Sequence, residues 1–268
     1  MIDLHVHTSR CGHAQGTVDE YVEAAREAGI SILAFTDHLP LPTGFDSGYA
    51  MPYEELDAYV AEVLSAKERS AASGGPEVLL GVEADWLPGH ESILDKALMS
   101  YPFDLVLGSV HFIDGWAFDD PRLTDGYVDR DLGELWERYF DDLSAAAMSR
   151  RFDVMAHPDL MKKFRHFPTS DPAGSYARVA ATFASAGVAV EVNTAGLRKP
   201  CAELYPATAF LEACRRAGVP ATVGSDAHAP EEVGAGSGHA LAALRDAGYD
   251  DVCVFRARDM SRLGMEAL

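Results

Sequence analysis

The chain has 268 residues, 22 of them Lys or Arg and 42 Asp or Glu, giving a formal net charge of −20. With 48% hydrophobic and 24% charged residues it can bury a full core, which excludes global disorder. The negative excess argues against a protein that coats nucleic acid or an anionic membrane surface, because both require a positive face.

Apolar runs predict strands at 2–6, 30–36, 77–83, 104–110, 152–156, 188–192, 220–224 and 252–255. Several, such as Leu105-Val106-Leu107 and Val188-Ala189-Val190, are almost continuously apolar, as suits strands buried on both faces of a parallel sheet. Helix signals fall between them. Thr17-Val18-Asp19-Glu20 reads as a capping box, with Val18, Tyr21, Val22 and Ala25 at helical spacing and Gly29 as the stop. Pro52 opens a second helix with Leu56, Tyr59, Val60, Val63 and Leu64 on one face. Asp171-Pro172 starts another, ending near Gly187. Ala207, Phe210, Leu211, Cys214 and Ala217 stripe the next, ending at Gly218. Residues 112–133 are irregular, aromatic and acidic and read as a long loop over one end of the sheet.

Alternating strand and helix over most of the chain predicts an α/β barrel; a doubly wound open sheet is the rival. No G-x-G-x-x-G follows a strand, so the dinucleotide fingerprint is absent. No linker or repeat divides the chain, and residues 1–268 are expected to form one domain. Cys11, Cys201, Cys214 and Cys253 are widely spaced, which points to a reducing compartment. No secretory leader pattern and no membrane-length apolar run is present. A soluble, cytoplasmic protein with no membrane partner is expected. No heptad or unusually apolar helix face specifies an oligomer.

The ten histidines carry the functional signal. His5 and His7 end the first strand as His-x-His, which places both side chains on one face, able to chelate one ion. His13 follows in the next loop. Asp37-His38 ends the second strand, Glu83 the third, His111 the fourth and His157 the fifth; Asp226-Ala227-His228 follows the seventh. In a parallel barrel these ends share one face, where active sites are built. Crowding so many polar groups there is hard to explain by packing, whereas metal ions would satisfy their lone pairs. Imidazole with carboxylate suits zinc, iron or manganese. Nine candidate ligands exceed the needs of one four-coordinate ion, so two or three ions are expected. His90, His166 and His239 lie away from strand ends and read as solvated or supporting residues.

The sequence resembles the PHP (polymerase and histidinol phosphatase) superfamily, and within it the histidinol-phosphate phosphatases. The likeness runs nearly end to end. It is carried by Asp3-Leu4-His5-Val6-His7-Thr8, Cys11-Gly12-His13, Thr36-Asp37-His38, Gly81-Val82-Glu83, Pro88-Gly89-His90-Glu91, Gly108-Ser109-Val110-His111-Phe112, Ala156-His157-Pro158-Asp159, Glu191-Val192 with the Asn193–Lys199 stretch that follows, and Gly224-Ser225-Asp226-Ala227-His228. The stretches Asn193-Thr194-Ala195-Gly196-Leu197-Arg198-Lys199 and His111-Phe112-Ile113-Asp114-Gly115-Trp116 point to the phosphatase branch. The resemblance implies a distorted (β/α)7 barrel, TIM-like, with three divalent ions at the carboxyl ends of its strands. It assigns His5, His7, Glu83 and Asp226 to one ion, Glu83, His111 and His157 to a second, and His13, His38 and His228 to a third. Seven strands would leave 252–255 outside the barrel.

Hydrolysis of a small phosphate monoester, L-histidinol phosphate, to L-histidinol and phosphate follows as the expected reaction. A hydroxide bridging two ions is the expected nucleophile. Arg165 and Arg198 are the expected phosphate contacts, with Lys162 or Lys163 able to replace the former. Asp226 is a candidate to orient the nucleophile or pass a proton. His228 is a candidate proton donor only if a metal does not hold it. Asp37 and Asp159 are candidates for fixing ligand imidazoles. Phe112, Trp116 and Phe118 are candidates to pack the substrate ring, and Asp119 or Asp120 to pair with its ammonium. Three rival readings remain: a phosphoesterase of this family acting on a nucleotide, phosphotyrosine or another small ester; a carbonyl-attacking amidohydrolase-like barrel; and a non-catalytic metal-binding module.

Overall fold

A computed structural model describes residues 1–45 and 48–268. Eleven strands and seven α-helices occur among them. In chain order they are β1 (Ile2–Val6), α1 (Val18–Glu27), β2 (Ile32–Phe35), α2 (Leu56–Ser73), β3 (Glu77–Asp85), α3 (Glu91–Ser100), β4 (Leu105–Ser109), β5 (Phe112–Ile113), β6 (Trp116–Ala117), α4 (Leu132–Met148), β7 (Val154–Met155), α5 (Ala173–Ala186), β8 (Ala189–Asn193), α6 (Thr208–Ala217), β9 (Ala221–Gly224), α7 (Ser237–Asp246), β10 (Asp251–Arg256) and β11 (Asp259–Gly264).

Seven strands form one parallel sheet in the order β1-β2-β3-β4-β7-β8-β9. All seven are buried almost throughout, as their apolar runs require. The sheet curls into a nearly closed barrel, the (β/α)7 architecture expected from the sequence. Closure between β1 and β9 is confined to the carboxyl end. There the Asp226 N–H donates to the His5 carbonyl at 2.7 Å and the His7 N–H donates to the Ala227 carbonyl at 2.9 Å. Lower in the seam the buried Asp3 side chain substitutes for a strand ladder. Its carboxylate accepts the Ser225 and Gly234 N–H groups, both at 2.8 Å.

The capping box forms as read: Glu20 N–H donates to the Thr17 hydroxyl and Thr17 N–H to the Glu20 carboxylate. The helix after Pro52 begins with a 3-10 turn, Tyr53–Glu55, before α2. The two later helices end at Gly187 and Gly218, each with the positive φ that a left-handed cap needs.

Helices α3, α4 and α7 are additions to the sequence reading. Helix α4 has a legible signal: an Asp131 N-cap and a buried stripe of Leu135, Trp136, Tyr139, Phe140 and Leu143. The 112–133 segment is not wholly irregular, since β5 and β6 make a short hairpin and Thr124–Tyr127 a 3-10 turn. The 252–255 run pairs antiparallel with β11, outside the seven-stranded sheet. The tip of this β10–β11 hairpin covers the amino ends of the strands. Arg258 donates to Asp153 at 2.9 Å, and Ala257 N–H donates to Asp104 at 3.1 Å. No helix among the described residues is long and apolar enough to cross a membrane.

Asp142 on α4 is 8% exposed, with Arg138 no nearer than 3.5 Å. Burial outweighs that cation and pushes its carboxyl up to about 6. A carboxyl raised on folding adds stability below its unfolded pKa of 3.8 and loses it as pH rises through about 6. Asp142→Asn should therefore raise the melting temperature at pH 8 relative to the unaltered chain, with a smaller gain or none at pH 4. Equal gains at both pH values would contradict this account.

Candidate metal centre

Every barrel strand but one delivers a candidate ligand at or just past its carboxyl end. His5 and His7 come from β1, His38 from the turn after β2, Glu83 from β3 and His111 from beyond β4. His157 follows β7, and Asp226 and His228 follow β9. His13 is brought in by the loop after β1. The backbone is bent to achieve this. His157 and Asp226 have φ of 28° and 53°, a conformation that residues other than glycine seldom adopt.

Glu83 sits at the centre and is 1% exposed. One oxygen, Oε2, lies 3.1 Å from His5 Nε2, 3.4 Å from His7 Nε2 and 3.2 Å from His38 Nδ1. The other, Oε1, lies 2.9 Å from His157 Nε2 and 3.6 Å from His111 Nε2, and accepts the Ser109 hydroxyl. A single carboxylate thus faces two groups of imidazoles with a separate oxygen for each. Asp226 Oδ1 closes the first group, 3.2 Å from His7 Nε2 and 3.9 Å from His5 Nε2. A third group lies beside it. The His13 ring is 4.5 Å from that of His228 and 5.6 Å from that of His38, centroid to centroid.

This donor set fits cations. His5 Nε2 and His7 Nε2 face each other at 3.1 Å, and the ligand atoms of His7, His38 and His228 lie within 4.8 Å of one another. Buried His157 Nδ1 and His228 Nε2 have no hydrogen-bond partner among the described residues. Nitrogen lone pairs packed this closely repel unless a proton or a metal ion lies between them. Burial alone would push the imidazoles of His5, His7 and His111 down. The carboxylates around them outweigh it, raising His5 well above its usual range, His7 to about 9 and His111 to about 10. Burial likewise opposes ionisation of Glu83 and Asp226, but the neighbouring histidines hold both well below the usual carboxylate range. Burial and imidazole neighbours hold His13 low, and His38 and His228 well below the ordinary imidazole value. Imidazoles raised in this way favour positive charge beside Glu83, and a bound cation would meet the same need.

Carboxylates orient the outer ring nitrogens. Glu191 lies 2.7 Å from His5 Nδ1 and Asp85 2.8 Å from His111 Nδ1, whereas Asp37, 3.5 Å from His7 Nδ1, makes no hydrogen bond to it. Of these, sequence reading singled out only Asp37. Asp85 had a signal, since it lies two residues after Glu83 in the same strand. Asp159 makes no bond to His157; it pairs with the buried Lys162 at 2.9 Å and accepts the Ala207 N–H at 2.7 Å. Cys11 lies close to His13, but its thiol donates to the Thr8 carbonyl, and burial pushes it up to about 12.

A cavity of about 440 Å³ opens over these groups. Phe112, Asp119, Lys163, Lys199, Tyr49 and Tyr205 are among its walls. Asp119 pairs with Lys163 at 3.0 Å; burial opposes its charge, but Lys163 and His111 hold the carboxyl below its usual range. Asp120 is occupied by Arg122 at 2.7 Å. Phe118 is fully buried, edge-on to Tyr139, and Trp116 packs on Tyr127; Phe118 is not a wall residue. Arg165 is exposed, with its guanidinium 3.4 Å from the Pro200 carbonyl. Arg198 pairs with Glu232 at 3.2 Å and donates to the carbonyls of Ser225 and Asp226 at 2.9 and 3.3 Å. It braces the loop that carries Asp226 and His228. Neither arginine lines the cavity, whereas Lys163 and Lys199 do.

Residues 3–195 match the PHP domain family, and residues 210–237 match a PHP-associated family. A "Probable histidinol-phosphatase" of Deinococcus radiodurans is 44% identical over 97% of this chain and 98% of its own length. A "Histidinol-phosphatase" of Bacillus subtilis is 27% identical over 87% of this chain and 95% of its own. Among solved structures, histidinol phosphate phosphatase from Lactococcus lactis, complexed with zinc, L-histidinol and phosphate, superposes with a TM-score of 0.85 at 19% identity. That alignment covers 97% of this chain and 98% of the other. The strand-end histidines, the shared carboxylate and the end-to-end likeness lead to one conclusion: the chain belongs to the PHP family.

Proposed function

We propose that this protein hydrolyses L-histidinol phosphate to L-histidinol and phosphate at a centre of three divalent metal ions. The observation that carries the proposal is Glu83, whose two oxygens each face a separate set of imidazoles beneath one cavity. The near full-length likeness to proteins named histidinol-phosphatase supports the substrate. Zinc with L-histidinol and phosphate in the Lactococcus lactis structure supports zinc among the metals that suit these donors.

His5, His7, Glu83 and Asp226 would hold one ion, Glu83, His111 and His157 a second, and His13, His38 and His228 a third. Such ions acidify bound water and clamp phosphoryl oxygens. The remaining work falls to the chain. Asp226, held by its backbone at the barrel seam, can accept a proton from the attacking water through the oxygen not facing His7. His228 sits in a site that keeps imidazole neutral, which suits a ligand better than a proton donor. Lys163 and Lys199 present cations at the cavity wall for phosphate. Arg198 serves by holding the Asp226–His228 loop. Phe112 offers a face for the substrate imidazole, and Asp119 an ionised partner for its ammonium. Asp120, tied to Arg122, is not available for that task.

Three measurements test this reading. Metal-replete protein should release phosphate from L-histidinol phosphate in preference to p-nitrophenyl phosphate, a nucleoside monophosphate and a phosphotyrosine peptide, and chelation should abolish the activity. Faster turnover of another ester would discard the substrate while keeping the scaffold. Glu83→Gln should lower the bound metal per chain and reduce kcat by orders of magnitude; normal metal content at a normal rate would refute the bridging role. Asp119→Asn should raise KM for L-histidinol phosphate about 10-fold or more, the scale of one charge-assisted hydrogen bond. It should change KM for p-nitrophenyl phosphate, which has no ammonium, far less. Equal changes for both esters would remove Asp119 from substrate recognition.

A further inference from the structure

Glu191 is 1% exposed and lies outside the nine candidate ligands, yet it contacts two of the segments that carry them and reaches a third through Asn193. Its Oε1 is 2.7 Å from His5 Nδ1. Its Oε2 accepts the His157 N–H at 2.8 Å, at the residue whose backbone is held at positive φ. The same oxygen accepts from Asn193 Nδ2 at 3.1 Å, and that amide also lies 3.3 Å from Asp226 Oδ2. The neighbouring strand leaves room for this arrangement. A Cβ on Gly224 would come within 2.2 Å of Glu191 Oε1 and 2.5 Å of His5 Cβ.

We infer that Glu191 is a positioning residue for metal binding, fixing His5 as the tautomer with its proton on Nδ1 and its Nε2 lone pair toward Glu83 and Asp226. The inference rests on the metal reading above. The chemistry is specific to a carboxylate. Two acceptor oxygens meet three donors: the His5 ring N–H, the His157 N–H and the Asn193 amide. A glutamine of the same shape must turn its NH₂ toward one of them. It then either faces a donor with a donor or forces His5 to carry its proton on Nε2, where the metal would sit. Carboxylates placed this way behind ligand imidazoles set both ring orientation and ligand basicity.

The test compares the full-length protein with Glu191→Gln, using zinc alone as the probe in competition with a chromophoric chelator. Zinc affinity should fall roughly 10–100-fold. The melting temperature of the metal-free variant should stay close to that of the metal-free parent, because the fold keeps an isosteric side chain. An unchanged zinc affinity, or a loss matched by unfolding of the metal-free variant, would overturn the inference. A parent that holds no zinc would sink the metal reading itself, and this inference with it. A second measurement needs no variant. Long-range ¹H–¹⁵N spectra of the zinc-loaded parent should show His5 protonated at Nδ1, and protonation at Nε2 would refute the assignment.

Discussion

The structure is organised around a buried carboxylate surrounded by imidazoles. Glu83 has five ring nitrogens within 3.6 Å and almost no contact with water. Desolvating such a group is costly unless positive charge lies beside it. The imidazoles around Glu83 stand where positive charge, from protons or from metal ions, would meet that need. The rest of the barrel's carboxyl end follows from this need. Five strands besides β3 direct His or Asp toward Glu83, and two of those residues accept positive φ to do so. A hydrophobic core packed through the strands and helices gives the rigidity that lets this strain persist.

The seam between β1 and β9 shows how fold and site are joined. Only two backbone hydrogen bonds close the barrel there, and the residues involved are His5, His7, Asp226 and Ala227. The segments that complete the cylinder are therefore among those that carry the candidate ligands. Asp3 holds the seam below them by accepting from Ser225 and Gly234. Arg198 braces the same loop from outside through two carbonyls and Glu232. Distortion of this seam would move His5 relative to Asp226, so barrel closure and metal-site geometry depend on the same contacts.

Much of this was legible in the sequence because strand ends are local features. His5-Val6-His7, Asp37-His38, Glu83 and Asp226-Ala227-His228 each follow an apolar run, and a parallel barrel brings such ends together. Less legible were groups whose role depends on strand neighbours. Glu191 looks like a lone acid inside an apolar strand until β8 lies between β7 and β9. The 252–255 run is as apolar as a barrel strand, and only its partner β11 places it elsewhere. Long side chains were ambiguous for another reason. Arg198 follows a strand end as a phosphate contact would, and its pairing with Glu232, distant in sequence, could not be read from the chain alone.

The cavity wall offers charges of both signs to the phosphate ester proposed as the substrate. Asp119 and Asp120 both line the cavity, and Asp120 is paired with Arg122. Asp119 in turn holds Lys163 at 3.0 Å, so an ammonium approaching Asp119 competes with that lysine. A lysine released in this way keeps its charge at the wall, where a phosphoryl group can use it. A zwitterionic ester can satisfy both halves of the pair, whereas an ester without an ammonium leaves Lys163 bound to Asp119. On the proposed reading, discrimination would come from exchange of one ion pair for two new contacts, which the chain's overall charge of −20 would not oppose.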